Sequence, residues 1–357
     1  MAFPERHIEN IARALTTWFD KENRELSRAI DQTVDENLFS LEDIKHQILS
    51  LKHTISKETL KKWVADSHVE TISGEDKNVL CLHAGNVPLV GIQDLIAVLL
   101  RNGTYIGKLS RKDPYLMASM LRHLAGHGLV EEDLWSVTPE SLKPVRADAL
   151  LFAGSEQSAG PVKEKLTQLG LIGEDTPSLM RTAGFSMAYI EDESSETYQD
   201  LTEAIFRYGG AGCRSVAIVV SPFPLRKVQC GFTDYIESFW LANPPHHKVS
   251  ESVPYRFALN KALGIDQAWL DHFLMEESSE ISGEKHIVHW IQGDLDRVEE
   301  IIRKVDSRLQ SVYSTAKYIG RRAGDRIIEP LSLAQMPPIW WKPDNVNTLV
   351  WLKDHGI

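Results

Sequence analysis

Cysteine is scarce in this chain. Its 357 residues contain only three, Cys81, Cys213 and Cys230, with no CxxC pair and no even set at regular intervals. That pattern excludes a disulfide framework and a cysteine-rich zinc site. Long apolar runs are absent too: none approaches the ~18 residues that a membrane-spanning helix needs, so no span is expected. Basic residues are in deficit, 39 Lys and Arg against 50 Asp and Glu for a net charge of -11. An anionic surface argues against broad binding to nucleic acid or acidic lipid, so a polyanionic ligand would need a local basic pocket. The opening residues Met1 to His7 mix both charges where a secretory signal would need a basic and then an apolar stretch, which makes the cytoplasm the expected location. There is no repeat of fixed period, no low-complexity tract and no long linker.

What is present is an ordinary globular composition, 43% hydrophobic and 25% charged, in a chain long enough for about two domains. The first seventy residues carry apolar side chains at helical spacing: Ile8, Ile11, Leu15, Phe19; then Leu41, Ile44, Ile48, Leu51; then Leu60, Trp63, Val64. After a turn at Ser73-Gly74-Glu75-Asp76 the pattern becomes strand, loop, helix. The short apolar run 79–82 leads into His83-Ala84-Gly85-Asn86-Val87-Pro88 and a helix from Val90 to about Leu100. The unit recurs with a strand at 104–110 and a helix from Pro114 to about Leu124. A third copy has a strand at 149–153, a turn at Gly154-Ser155-Glu156 and a helix from Pro161 to Leu169. Strands that are apolar throughout, alternating with helices, predict a parallel sheet covered on both faces, whose ligands sit at the carboxyl ends of the strands. A second α/β set follows, with strands near 186–190, 216–220, 286–291 and 308–313 and helices near 195–207, 226–241 and 294–305. The stretch from Ile339 to Leu352 is tryptophan-rich and ends in a β-prone run, suited to packing on the first domain or on a second subunit.

Each candidate for chemistry has a plain structural alternative. Gly209-Gly210-Ala211-Gly212 before Cys213 is followed by a β-prone run, not the helix that a dinucleotide fingerprint requires. Small residues there would let a backbone, a ligand or a flat ring come close to a reachable thiol, although a cysteine ahead of a buried strand is commonly an inert core residue. Asn86, at the end of the first strand, offers an amide to a developing oxyanion, or simply caps a turn. Lys108, Ser110, Arg111 and Lys112 make a basic island in an acidic protein, either a phosphate site or a solvated turn. Gly154-Ser155 provides a backbone N–H and a hydroxyl where a pyrophosphate could meet a helix start. His123 and His127 share a helical spacing, and His286 lies near His289, but neither pair has the HExxH context, so no metal is expected. His246-His247 beside Pro244-Pro245 reads as a loop, and Ser155 and Ser215 lack a nucleophile-elbow context.

Taken in order, His83 to Pro88, Lys108 to Pro114, Ala153-Gly154-Ser155-Glu156 and Gly209 to Cys213 resemble the LuxC-type long-chain acyl-CoA reductases of the aldehyde dehydrogenase superfamily. The likeness covers about 78–220, with a weaker echo from Gly320-Arg321-Arg322 to Pro337-Pro338. It implies an aldehyde dehydrogenase-like α/β fold: a helical region at 1–75, a Rossmann-like cofactor domain at 76–183, a catalytic domain at 184–318, and a segment at 319–357 returning to the cofactor domain or an oligomer interface. It implies that Cys213 is the nucleophile and Asn86 the oxyanion-hole side chain. Lys108, Ser110 and Arg111 would bind the cofactor near its adenosine ribose, and Gly154 and Ser155 its pyrophosphate. The implied reaction is NADPH-dependent reduction of a fatty acyl-CoA, or an acyl-carrier thioester, to the aldehyde. The basic island favours NADPH over NADH. A homo-oligomer is expected, with room for an acyl-transferring partner enzyme. Hydrolytic relatives place a glutamate shortly after the cofactor domain. The corresponding stretch here, Thr182-Ala183-Gly184-Phe185-Ser186, has no carboxylate, as suits an acyl intermediate that must be kept from water. The alternatives are a degenerate member acting as a scaffold and an aldehyde-oxidising dehydrogenase.

Overall fold

A computed structural model describes residues 5–69, 76–244, 249–270, 272–278, 281 and 284–357. The turn expected at 73–75 and the loop expected at His246-His247 lie outside these. The chain forms two compact units, Met1–Thr182 with Pro337–Ile357, and Ala183–Met336.

The first unit opens with four helices, α1 (Glu5–Trp18), α2 (Arg24–Asp35), α3 (Leu41–Thr54) and α4 (Lys57–Asp66). Side-chain caps at Asn23, Ser40 and Ser56 start the last three by accepting backbone N–H groups that a helix start otherwise leaves unsatisfied. Strands and helices then alternate: β1 (Asn78–Leu82), α5 (Ile92–Leu100), β2 (Thr104–Lys108), α6 (Leu116–Gly126), β3 (Trp135–Ser136), β4 (Ala149–Ala153), α7 (Glu156–Gln168) and β5 (Ser178–Arg181). The five strands are parallel throughout in the order β3-β2-β1-β4-β5. Alternate residues of β1 serve opposite faces: Val79 and Cys81 join the core formed with α1 and α5, while Leu80 and Leu82 join Leu150, Phe152 and Leu166 on the other side. Burial on both faces is why these strands read as unbroken apolar runs.

The second unit contains β6 (Phe185–Tyr189), α8 (Ser195–Phe206), β7 (Val216–Ser221), α9 (Leu225–Ala242), α10 (Ser252–Leu263), β8 (Gln267–Leu270), β9 (Phe273–Glu277), β10 (Ile287–Gln292), α11 (Leu295–Val305), β11 (Leu309–Ser314), β12 (Arg322–Ala323) and β13 (Arg326–Pro330). Its eight-stranded sheet runs β12-β13-β11-β6-β7-β10-β9-β8, parallel except for the outermost pair at each edge. Met187, Tyr189, Ile218 and Val220 face α11, while Ala188, Val219 and Trp290 face α8 and α9. The chain then returns to the first unit and ends in α12 (Thr348–Asp354).

Two elements depart from the sequence expectation. The run from Asn347 to Leu352 is helical. Asn347 accepts from the N–H groups of Leu349 and Val350 at 3.1 and 3.4 Å, and this cap, with Leu349 and Leu352 buried, outweighs the β propensity of Val350 and Trp351. The helix expected from Pro161 begins at Glu156 and carries Pro161 inside it. A proline inside a helix costs one i→i−4 hydrogen bond, and here it does not end the element. The earlier start matters because it brings the helix N-terminus directly to Gly154-Ser155.

Candidate active site

In the first unit the loops that follow β1, β2 and β4 are aligned by strand register. Leu82 pairs with Lys108 on one side and Phe152 on the other, so all three strands end at one level. The loop 83–88 lies against the loop after β2 with no space between. A Cβ on Gly85 would fall 1.9 Å from Ser110 Oγ and 2.9 Å from Lys112 Cβ. A glycine is therefore required there by the neighbouring loop, a close approach that spacing alone does not reveal.

Two buried side chains fix this arrangement. His83 Nε2 lies 2.5 Å from the Tyr105 hydroxyl on β2, and its ring fills the space left by Gly91, where a Cβ would sit 1.1 Å from Nδ1. Burial pulls the His83 imidazole down to about 4 and pushes the Tyr105 phenol up, so the pair is neutral at physiological pH. Asp113, at the far end of the second loop, accepts the Leu89 N–H at 2.7 Å. Leu89 adopts φ +56°, a left-handed conformation unusual for leucine, and this hydrogen bond holds it there. Burial raises the Asp113 carboxyl to about 6, against the lowering effect of backbone N–H groups at Leu89, Met117 and Leu116. Asn86 sits half-buried between these two anchors.

The opposite shifts of His83 and Asp113 make a pH prediction. Asp113, ordinarily near 3.8 and here about 6, keeps a proton in the fold that the unfolded chain has lost, so its stabilising contribution fades as pH rises through 6. His83, ordinarily near 6.5 and here about 4, has the contrary effect: the unfolded chain takes up a proton first, so stability fades as pH falls from 6.5 to 4. Each amounts to roughly 3 kcal/mol, and in the native protein they offset one another. Asp113→Asn, which keeps the acceptor for Leu89, is expected to give urea midpoints that climb with pH between 4 and 6.5. A variant whose midpoints follow the wild-type profile would refute the pairing.

Lys108 is half-buried at the end of β2, and burial together with the Arg111 guanidinium lowers its ammonium pKa. A cation already partly stripped of water, with a second cation beside it, is set to gain from an anionic partner. Ser110 accepts the Lys112 N–H at 3.2 Å, and Arg111 and Lys112 are exposed. At the end of β4, Gly154 donates to the Arg181 carbonyl at 3.1 Å, and a Cβ on it would reach 2.5 Å from the Phe152 ring. Ser155 occupies the N-cap position of α7 without capping it; its hydroxyl donates instead to Ser158 Oγ at 3.0 Å. The helix N-terminus there keeps its attraction for an anion.

In the second unit Cys213 lies in the connection from α8 to β7. The approach is sharply turned: Tyr208, Gly209 and Gly210 take φ values of +57°, +62° and +64° in succession. A Cβ on Gly210 would come within 2.9 Å of the Phe273 ring and 3.1 Å of the Ile205 carbonyl. The flat ring for which the small residues leave room is thus Phe273, from β9. The base of the turn is anchored by the Arg207 side chain, which donates to Glu203 at 2.7 and 2.8 Å and to Asn243 at 2.5 Å. Ser186, fully buried on β6, donates to the Cys213 carbonyl at 3.0 Å and accepts the Ser311 N–H at 3.2 Å, joining the cysteine backbone to the central strands. Of the three cysteines, Cys81 is buried in β1 with its thiol pushed up by burial, Cys230 is exposed on α9, and Cys213 is half-buried.

Sequence reasoning named the loop residues but not their supports. Tyr105, Asp113 and Gly91 in the first unit, and Ser186 and Ser311 in the second, act through contacts between distant segments; only the position of Asp113, directly after the basic island, hinted at a role. Among the described residues no group of three His, Cys, Asp or Glu side chains is placed to hold a metal, and no helix is long and apolar enough to cross a membrane.

The fold defined by these two sheets is the aldehyde dehydrogenase-like α/β fold. Among solved structures, aldehyde dehydrogenase 21 from Physcomitrella patens, in complex with succinate, superposes with a TM-score of 0.68 at 12% identity, covering 99% of this chain and 85% of that one. An acetylating aldehyde dehydrogenase from Geobacillus thermoglucosidasius gives 0.60 at 15% identity over 93% and 83%. Methylmalonate-semialdehyde dehydrogenase from Oceanimonas doudoroffii gives 0.65 at 11% identity over 95% and 80%. No protein-family model and no curated protein matches the sequence.

Proposed function

We propose that the protein is an NADPH-dependent acyl-CoA reductase that converts a fatty acyl thioester to the aldehyde through an acyl-cysteine on Cys213. The observation that carries this reading is the turn at 208–213. A backbone bent through three left-handed residues and anchored by Arg207 and Ser186 presents one half-buried thiol, on a fold it shares with an acetylating aldehyde dehydrogenase.

In this reading the Cys213 thiolate attacks the thioester carbonyl, and a C–S bond forms as the carbonyl π pair moves to oxygen. Asn86 donates its amide N–H to that oxygen, which lowers the barrier where negative charge builds up. Collapse expels the CoA thiolate, which takes up a proton, and leaves the acyl group on Cys213. The residues after β2 and β4 suit a phosphate-bearing nicotinamide cofactor: Lys108, Ser110 and Arg111 on the adenosine side, Gly154 and Ser155 at the pyrophosphate. Such a cofactor would supply hydride for reduction of the acyl group. The stretch 182–186 bears no carboxylate, and Ser186 is engaged with the Cys213 and Ser311 backbones, so neither offers a base to activate water against the thioester.

The direct test is to follow NADPH oxidation over a series of acyl-CoA chain lengths and identify the aldehyde product. Turnover that rises with chain length and yields aldehyde supports the reading, whereas carboxylic acid as product overturns it. The cofactor preference has its own expected result. Lys108→Gln combined with Arg111→Gln should raise the KM for NADPH at least ~10-fold while changing that for NADH less than threefold, since charge-assisted hydrogen bonds to a phosphate are worth about 1.5–3 kcal/mol. Equal losses with both cofactors would remove the 2′-phosphate assignment.

A further inference from the structure

Phe273 opens β9, and its backbone is fixed on both sides. It pairs with Leu270 of β8, and the next N–H, that of Leu274, donates to the His286 carbonyl at 2.9 Å. Its buried ring is enclosed by three others. Phe206 meets it edge-on at 4.9 Å between centroids, His286 edge-on at 5.1 Å, and Trp240 stacks on it at 6.0 Å. A flat ring packed in this way keeps one orientation. Its Cε1 and Cζ are the atoms turned to Gly210, where a Cβ would lie 2.9 and 3.1 Å from them. The Ile205 carbonyl, in the last turn of α8, closes the same position at 3.1 Å.

The turn ahead of Cys213 needs such a neighbour. Tyr208, at φ +57°, is an L-residue held left-handed, a conformation that persists only where the surroundings impose it. The exit of the turn is fixed by hydrogen bonds: Ser215 N–H donates to the Gly212 carbonyl at 2.9 Å, and the Ser186 hydroxyl donates to the Cys213 carbonyl at 3.0 Å. At the entry, Gly209 and Gly210 have no side chains to anchor, so the volume of the adjoining ring sets where the backbone runs. The same aromatic cluster reaches the Arg207 anchor. Phe206 and Trp240 pack against Phe239 at 6.2 and 5.0 Å, and the Arg207 guanidinium lies 4.9 Å from the Phe239 ring.

We infer that Phe273 is a positioning residue for Cys213, a wedge that keeps the turn at 208–212 from settling into the core and so holds the thiol where a substrate can reach it. The ring acts through the backbone, three residues upstream of the thiol. In its kinetic consequence the inference rests on the reading of Cys213 as the nucleophile. Removing part of a buried ring leaves volume into which the surroundings partly collapse, and here the glycine turn is the neighbour with no side chain to resist. Moving a reacting atom by ~1 Å can lower a rate on the order of 10²-fold without weakening substrate binding.

The test uses the full chain in a Cys230→Ser background and two readouts, the rate of Cys213 alkylation by iodoacetamide and the steady-state kinetics with acyl-CoA. Phe273→Leu is expected to slow alkylation at least ~5-fold and to lower kcat at least ~10-fold, with KM for acyl-CoA changed less than about twofold. Phe232→Leu, the same substitution in the same core but on α9, should leave both rates within about twofold at a comparable thermal midpoint. The decisive comparison is Gly210→Ala in each background. It should slow alkylation at least ~10-fold beside Phe273 and no more than about threefold beside Phe273→Leu, because leucine lacks the Cε1 and Cζ atoms that the new methyl would strike. Equal factors in the two backgrounds would overturn the inference, as would native alkylation and kcat in a folded Phe273→Leu protein. If the native chain turns over no acyl-CoA, the acyl-CoA reading fails and the alkylation rates alone decide the role of the ring. If Phe273→Leu does not fold, Phe273→Met, whose flexible end yields to a methyl, takes its place in the same comparisons.

Discussion

Cys213→Ser is expected to abolish acyl transfer and aldehyde formation, lowering turnover by ~10⁴-fold or more while leaving the fold intact. The size follows from the chemistry. A serine hydroxyl at neutral pH is almost wholly protonated, whereas a thiol yields a nucleophilic thiolate in useful amount. The fold should survive because the turn is held by its backbone: the Cys213 carbonyl accepts from Ser186, and left-handed Gly209 and Gly210 set the direction. Three measurements check it. Incubation with radiolabelled acyl-CoA should label the native protein and not the variant. NADPH oxidation should fall to background. Iodoacetamide should inactivate the native protein by modifying Cys213 well before buried Cys81. Labelled acyl groups retained on Cys213→Ser and released by hydroxylamine at neutral pH, as a thioester on another cysteine would be, would contradict the assignment.

Asn86→Ala is expected to lower kcat by roughly 10²–10³-fold with little change in the KM for acyl-CoA. The amide is assigned to an oxygen that carries charge only as the reaction proceeds, so its loss should appear in the transition state and not in ground-state binding. Asn86→Asp should be worse than Asn86→Ala, because a carboxylate would face the developing negative charge in place of a donor. The order of the two variants separates an oxyanion donor from a turn cap. Aspartate caps turns as well as asparagine does, so a purely structural role predicts that Asn86→Asp retains activity. Steady-state kinetics on both, with thermal midpoints to confirm equal folding, decide between them.

Much of the architecture can be read from local pattern because it is set by local physics. The apolar runs at 79–82, 149–153 and 216–220 lie in parallel strands buried on both faces, and such strands advertise themselves by lacking alternation. The loops at 83–88, 108–113 and 154–156 follow strand ends, and a doubly wound sheet collects ligands there. The errors have physical sources as well. Val350 and Trp351 suggest a strand, yet the Asn347 cap and two buried leucines make a helix. Pro161 suggests a helix start, yet α7 begins five residues earlier. No sequence pattern announces α10, β8 or β9. In α10 the core-facing side mixes Val253 and Phe257 with Arg256 and Asn260, so no clean apolar stripe announces its packing face.

By itself the sequence determined the alternation of strands and helices, the acidic surface with its basic island at 108–112, and the single cysteine placed behind a glycine run. Each of these is a property of neighbours in the chain, and periodicity, charge and conformational freedom act over that range. Tertiary structure alone decided what holds the reactive loops in place. Gly91 leaves room for the His83 ring, Tyr105 meets that ring from the next strand, Asp113 secures Leu89, and Ser186 ties the Cys213 carbonyl to Ser311. It decided also that Arg256 and Asn260 of α10 turn toward the sheet beside Val253 and Phe257, because Glu276 is buried twenty residues beyond Arg256 and an unpaired buried charge is costly.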